Sequence, residues 1–73
     1  MTTDIQFDPK NLISSGWISG TERPKNDTLV AYLFEPFMSL HVGRYESEFD
    51  SVYGRSGFTS WQPEVLCWYP LPE

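Results

Sequence analysis

The chain has 73 residues, of which ten are acidic and five are basic, and its formal net charge is −5. A chain of this length forms one domain close to the lower size limit for a self-sufficient core, so we expect a single domain over residues 1–73. Binding to nucleic-acid phosphates depends on Lys and Arg, and this charge disfavours direct binding of DNA or RNA. The acidic surface either attracts a partner protein with a basic surface or only keeps an aromatic-rich chain soluble.

The composition also limits the compartment in which the chain works. The single cysteine, Cys67, excludes an internal disulfide bond and is typical of a reducing environment. The first residues lack the basic and apolar segments of a signal peptide. No apolar run approaches the ~20 residues that span a bilayer. We therefore expect a cytoplasmic protein that does not insert into a membrane.

The N-terminal third predicts a short helix, a short strand and a loop. Asp8 and Pro9 begin the helix, because Asp is a favoured N-cap and Pro fits the first helical position. The apolar residues 12–13 are expected to face the core. Residues 17–19 are predicted to form a short edge strand, and the turn-forming residues of the segment 20–27 predict a loop.

The central part of the chain predicts an antiparallel hairpin. Residues 28–34 are apolar at both alternating sets of positions, which is typical of a central strand covered on both faces. Residues 38–43 alternate, with Met38, Leu40 and Val42 on one side and polar residues on the other. The two runs are predicted to pair through a short connection.

The last third predicts further strands. Residues 45–53 alternate between one set of aromatic and serine positions and another set of acidic positions. Residues 54–57 predict a loop, residues 58–61 a short strand, and residues 64–69 a final strand that ends at Pro70. Several short strands with few helical signals favour a mainly β fold, a small antiparallel sheet of three to five strands with a short N-terminal helical turn. An α+β arrangement is the alternative.

Catalytic chemistry has few candidates in this chain. His41 and Cys67 are the one pair that a nucleophilic mechanism could use, but an apolar strand beside Trp68 is the usual environment of an inert thiol. A zinc site needs about four Cys, His or carboxylate ligands at close spacing. Neither standard glycine-rich phosphate-loop pattern is present. We therefore expect no enzyme activity, no metal ion and no cofactor.

Three alternating carboxylates form the sharpest candidate binding feature. On an extended strand, Glu46, Glu48 and Asp50 would share one face, with neighbours about 6.5–7 Å apart. Such a row could imitate nucleic-acid phosphates or dock in a basic groove. The alternative is a solvated strand face whose charges prevent sheet-to-sheet aggregation.

Aromatic residues surround this acidic row and are expected to be partly exposed. Phe49, Tyr53 and Trp61 would supply the apolar contacts of the same partner-binding surface, since aromatic anchors next to charge are typical of protein interfaces. Phe37 and Tyr45 are also expected to be partly exposed. The alternative is that these rings close a minor second core.

Two short motifs stand near the ends of the chain, and together they resemble a family of small phage and prophage proteins of unknown function. Those proteins begin with Trp-Ile-Ser, continue with an Arg/Pro segment and end on Trp-x-Pro-Leu-Pro. This chain differs by carrying Cys67 where the family often has His, and by a longer segment at residues 46–64. The matching residues are Gly16-Trp17-Ile18-Ser19, Arg23-Pro24 and Trp68-Tyr69-Pro70-Leu71-Pro72.

The resemblance implies a phage or prophage accessory protein that acts in the cytoplasm of a host cell. Combined with the acidic and aromatic surface, it suggests a non-enzymatic inhibitor of a host protein. A nucleic-acid-binding defence complex, such as a CRISPR effector or a nuclease, would suit a small acidic domain that covers its basic channel. The alternative function is a small structural or assembly module that forms homo-oligomers through an exposed strand edge at residues 45–53.

Overall fold

The computed structural model describes residues 7–54 and 57–72, which form a six-stranded antiparallel sheet with one short helix and one helical turn. The prediction of a mainly β fold is confirmed, and the sheet has one strand more than the upper limit of the expected three to five. In chain order the elements are α1 (Pro9–Ser14), β1 (Ile18–Ser19), β2 (Leu29–Phe34), β3 (Ser39–Glu46), β4 (Ser51–Gly54), β5 (Gly57–Ser60), the turn α2 (Trp61–Glu64) and β6 (Val65–Pro70).

The strand order is β1-β6-β2-β3-β4-β5, so β2 is central and β1 and β5 are the edges. The predicted hairpin is confirmed as β2 and β3, which pair from Leu29 with Arg44 to Phe34 with Ser39. The two end motifs meet in space, because Ile18 of β1 pairs with Trp68 of β6. The sheet therefore joins the first and last strands side by side.

Helix α1 begins as predicted. The Asp8 carboxylate accepts a hydrogen bond from the Lys10 backbone N–H at 2.9 Å, and Pro9 occupies the first turn. The helix packs against β6, but none of its residues is buried, and Ile13 is 41% exposed. The expectation that residues 12–13 face the core is therefore wrong for Ile13, because a helix of six residues lies against β6 and covers little of the sheet.

The inner face of the sheet carries the core. It is formed by the buried side chains that point to one side of β2, β3, β4 and β6 together with Trp61 of α2; the buried members of the cluster are Val30, Tyr32, Tyr45, Val52, Trp61, Val65 and Trp68. Phe34 of β2 and Thr59 of β5 line the same cavity, although β3 and β4 lie between these strands. The sheet is thus rolled around its inner face.

Two paired glycines permit close contact where β3 meets β4. A Cβ on Gly43 would lie 2.7 Å from the Tyr53 carbonyl oxygen, and a Cβ on Gly54 would lie 2.6 Å from the Val42 carbonyl oxygen. Gly43 and Gly54 are opposite each other in the ladder. Glycine inside a strand is typical of a tight bend or of close backbone approach, and here it allows the sheet to roll.

The alternation of residues 38–43 is present, but its apolar side is the exposed one. Leu40 and Val42 point to the outer face and are exposed. Ser39 and His41 point to the inner face, next to the β2 residues with which they pair. Met38 lies in the turn before β3, with a φ of +49°. Alternation groups residues that share a face, but it does not say which face the rest of the chain covers.

The continuous strand expected at residues 45–53 is wrong. Residues 47–50 form a turn between β3 and β4, in which Asn26 accepts hydrogen bonds from the backbone N–H and the hydroxyl of Ser47. The segments 45–46 and 51–53 are interior strands with a neighbour on each side. Consequently this segment offers no free edge for homo-oligomers. Of the loop expected at residues 54–57, residues 55 and 56 lie outside the described residues.

Within residues 7–54 and 57–72, no helix combines the length and the apolar character required to cross a membrane.

The glycine contacts predict a specific loss of stability. Replacement Gly43→Ala is expected to lower the free energy of unfolding by about 1–3 kcal/mol, because the new Cβ must displace the backbone of β4. The neighbouring change Val42→Ala, at a half-exposed position of the same strand, is the matched control and should cost less than about 1 kcal/mol. Urea denaturation measures both, and equal losses would contradict the close-contact explanation.

Candidate functional site

A bidentate ion pair holds the loop between β1 and β2 onto the turn between β3 and β4. Arg23 donates from Nε to Asp50 Oδ1 at 2.7 Å and from Nη2 to Asp50 Oδ2 at 3.0 Å. The Tyr45 hydroxyl donates to Asp50 Oδ1 at 2.6 Å. The Asp50 backbone carbonyl also accepts a hydrogen bond from the Trp61 backbone N–H at 3.0 Å. We call this group of four residues the clamp.

Two indole groups hold the same loop over the inner face by hydrogen bonds. The Trp61 ring N–H donates to the Gly20 carbonyl at 2.7 Å, and the Trp68 ring N–H donates to the Glu22 carbonyl at 2.9 Å. Arg23 Nη1 donates to the Gly20 carbonyl as well, at 3.0 Å, and Pro24 is buried. The arginine, proline and tryptophan of the end motifs therefore contribute to the packing of the fold.

The negative charge of Asp50 is paired within the clamp. Its side-chain hydrogen bond with Arg23, followed by that with Tyr45, holds the pKa of Asp50 below the ordinary value for a carboxyl group. Burial is the main cause of a raised pKa at Tyr45, and its hydrogen bond with Asp50 adds to the increase. Asp50 is thus an anion already paired with a guanidinium group, which separates it from the row of three carboxylates predicted from the sequence.

Trp61 and Tyr45 belong to the core. Trp61 is 0% exposed and its ring meets Tyr45 and Trp68 edge-on, at centroid distances of 5.0 and 6.1 Å. Tyr45 is also buried. The expectation that both rings are partly exposed is therefore wrong, because α2 turns Trp61 inward over the rolled sheet. Trp61 cannot provide apolar contacts to a partner in this conformation.

The other two predicted rings are exposed on the outer face, next to a third. Phe49 is 62%, Tyr53 53% and Phe58 61% exposed. The Tyr53 and Phe58 centroids are 4.8 Å apart, and those of Phe49 and Phe58 are 6.1 Å apart. Leu40 and Val42 are exposed on the same face, along β3. We call these five residues the outer patch.

Two of the predicted carboxylates accompany the outer patch. Glu46 alternates with the buried Tyr45 and therefore points to the outer face, opposite Ser51 in the ladder. Glu48 is exposed in the turn, directly before Phe49 in the chain. Glu46, Phe49 and Tyr53 thus lie on one side, with Glu48 exposed in the adjoining turn, whereas Asp50 and Trp61 are held elsewhere.

Sequence reasoning missed three members of the outer patch. Phe58 pairs with Tyr53 across the β4–β5 hairpin, and cross-strand aromatic pairs of this kind place both rings on one face. Leu40 and Val42 were recognisable as sharing a face, but alternation alone did not say whether that face is exposed. Among the described residues, this face also carries the cation Arg44, which donates to the Asp27 carbonyl at 2.8 Å and has its guanidinium 3.7 Å from the Asp27 carboxylate.

His41 and Cys67 do not form a catalytic pair. His41 and Trp68 are both paired with Tyr32 and point to the inner face, so Cys67, the neighbour of Trp68, points to the opposite face. Cys67 is fully buried, and burial raises the pKa of its thiol. Among the described residues no cluster of His, Cys, Asp and Glu has an arrangement that could hold a metal ion.

A shallow depression of about 420 Å³ lies between β1 and α2. No charged or aromatic side chain lines it, and its two hydroxyl groups, of Ser19 and Thr21, lie 3.0 Å apart and bond to each other. This depression therefore offers little to select a ligand.

Comparison with protein-family models, with curated proteins and with solved structures gave no match. The resemblance to small phage and prophage proteins therefore stays a prediction that rests on the two motifs.

The clamp predicts how stability depends on pH. The pKa of Asp50 is lowered in the folded state, so the stability from its charge is present above the unfolded value of about 3.9 and is lost as the pH falls through the folded value. Asp50→Asn should therefore destabilise the protein by about 1 kcal/mol at pH 7, because the pair is partly exposed. The difference from wild type should shrink below pH ~4.

Asp27→Asn is the matched control for this measurement. Asp27 also has a positive φ, of 66° against 45° for Asp50, so Asn is tolerated equally at both positions. Its ion pair with Arg44 is long and exposed, and we expect a change close to zero. Thermal unfolding between pH 3 and 7 compares the variants, and parallel curves for wild type and Asp50→Asn would contradict the role of the clamp.

Proposed function

We propose that this protein is a non-enzymatic binding module that covers a basic surface of another protein with its outer patch. The observation that carries this proposal is the cluster of exposed rings at Phe49, Tyr53 and Phe58, with carboxylates on the same side. Monomeric proteins seldom expose contiguous apolar surface without using it for binding. Aromatic residues are also the residues that interfaces favour.

The rings and the carboxylates would serve different parts of the interaction. Tyr53 and Phe58 supply apolar surface that becomes buried on binding, and residues of this type dominate the affinity of interfaces. Glu46 and Glu48 at the rim, with a net charge of −5 for the whole chain, accelerate encounter with a cationic surface and disfavour acidic partners. The proposal therefore specifies an apolar depression bordered by Lys or Arg on the partner.

The two end motifs favour a partner in a bacterial host, because they resemble those of phage and prophage proteins. In this proposal the module inhibits its partner by occupying a channel in which the partner binds nucleic acid. A CRISPR effector or a nuclease has such a channel, since nucleic-acid binding depends on clustered cations. One molecule would block one channel, and no catalytic group would be required.

Self-association through the outer patch is the competing function, in line with a structural or assembly module. Two copies would bring the same acidic rims, with Glu46 and Glu48, against each other, and like charges in contact are destabilising. We therefore propose that the pure protein is a monomer, which sedimentation velocity measures. A stable dimer that Tyr53→Ser dissociates would favour the assembly module instead.

The outer patch predicts which variants lose the partner. The wild-type protein serves as bait to capture its partner from host lysate. Compared with it, Tyr53→Ser and Phe58→Ser should bind this partner about tenfold more weakly, the usual effect of removing an aromatic anchor. Reversal of charge in Glu46→Lys should weaken it by about threefold, with a larger effect at low salt. Titration of the identified partner by calorimetry gives the dissociation constants.

Two controls match these changes in chemistry and charge. Ile13→Ser removes an exposed apolar side chain from α1, outside the outer patch. Glu22→Lys changes the net charge by the same amount as Glu46→Lys but lies in the exposed loop that crosses the inner face. Both controls should retain wild-type affinity. Equal losses in the controls and in the outer-patch variants would refute the assignment of this surface.

A further inference from the structure

Among residues 7–54 and 57–72, the inner face is closed by the clamp at one end and is open at the other. A cavity of about 300 Å³ lies at this open end, beside the turn that joins β2 to β3. Elements distant in the chain meet there because the sheet is rolled and α2 crosses its inner face. The residues that line the cavity are Phe34, Phe37, His41, Phe58, Thr59 and Glu64.

Three of the walls are rings set at steep angles to one another. The Phe34 ring is inclined by 52° to that of Phe37 and by 68° to that of His41, with centroid distances of 5.6 and 5.1 Å. His41 is held in place by stacking on the buried Tyr32 at 5.7 Å and by a hydrogen bond between its Nε2 and the Ser39 hydroxyl at 2.9 Å. The arrangement is that of an aromatic cage with one open side.

Glu64 gives this cage a negative charge. Among the described residues it is the one carboxylate that lines the cavity, and none of the ion pairs between these residues engages it. Its position is fixed through the backbone, because the Glu64 carbonyl accepts a hydrogen bond from the Glu35 N–H at 2.7 Å, next to Phe34. Ring faces attract cations, and a carboxylate at the same cavity adds to that attraction.

We propose that the cavity binds the ammonium group of a lysine side chain. Rings at steep angles surround a compact cation, whereas the planar guanidinium group of Arg favours stacking on a single ring face. The lysine would come from the basic partner, so this source rests on the proposed function. Phe58 belongs both to the outer patch and to the cavity wall, so a partner on the patch can reach the cavity across edge strand β5.

Small cations test the cavity without any partner protein. The probes are N-acetyl-lysine methylamide, its Nζ-trimethyl form and N-acetyl-arginine methylamide, with the neutral Nζ-acetyl-lysine methylamide as control. In titrations followed by ¹H–¹⁵N NMR, the lysine probe should bind with a dissociation constant of about 1–10 mM. Shifts should concentrate at Phe34, Phe37, His41 and Glu64. The trimethyl form should bind at least as tightly, since aromatic cages favour quaternary ammonium groups.

Two variants assign the affinity to the charge and to the rings. Glu64→Gln and Phe37→Leu should each raise the dissociation constant of the lysine probe about threefold or more, because one removes the carboxylate and the other an aromatic face. Phe37 is 76% exposed, so the fold does not depend on its ring. Phe49→Leu makes the same change at an exposed ring outside the cavity and should have no effect.

The results separate this inference from the proposed function. Equal shifts with the neutral probe, or unchanged affinity in both variants, would overturn the cation site even if the outer patch still binds a partner. Tighter binding of the arginine probe would overturn the assignment to lysine. The lysine probe is titrated without the partner, so loss of partner capture in Tyr53→Ser concerns the outer patch alone, and loss of probe binding in Glu64→Gln concerns the cation site alone.

Discussion

Arg23 and Asp50 are 27 residues apart in the chain, and their bidentate pair joins the loop after β1 to the turn after β3. Around it, Tyr45 donates to the carboxylate and Trp61 donates to the Gly20 carbonyl on the same loop. The loop is thereby fixed over the inner face and excludes water from the core rings. A chain of 73 residues has only a small core, and this loop bonds to two of its rings, Trp61 and Trp68.

This arrangement explains why the side chains on the two faces of the sheet differ in exposure. The inner face receives the loop, α2 and the indole rings, so the polar groups of the clamp are paired and the rings of Tyr45, Trp61 and Trp68 are buried. The outer face is covered only in part, with α1 and Trp17 lying against β6, where Trp17 is 5.8 Å from Tyr69. The strands β3, β4 and β5 are left with exposed apolar side chains, and the proposed binding surface is the part of the sheet that the described residues do not cover.

The carboxylates also differ between those that are paired within the fold and those that lie at the proposed binding surfaces. Asp50 is neutralised by Arg23 within the fold, so it contributes to stability and is not offered to a partner. Glu46 and Glu48 remain beside the outer patch, and Glu64 faces the cavity at the open end of the inner face. The proposed surfaces therefore place aromatic rings together with carboxylates that no ion pair between described residues engages, a combination suited to cationic side chains.

Local sequence signals determined the helix start at Asp8 and Pro9, the β2–β3 hairpin, the short first strand and the last strand, because capping, alternation and proline act over a few residues. They also indicated that Phe49 and Tyr53 are exposed beside acidic groups. The tertiary structure decided that Trp61 is buried and that Asp50 is paired, because both depend on partners distant in the chain. Alternation likewise could not say which side of β3 would be covered, since that depends on where the loop and α2 cross the sheet.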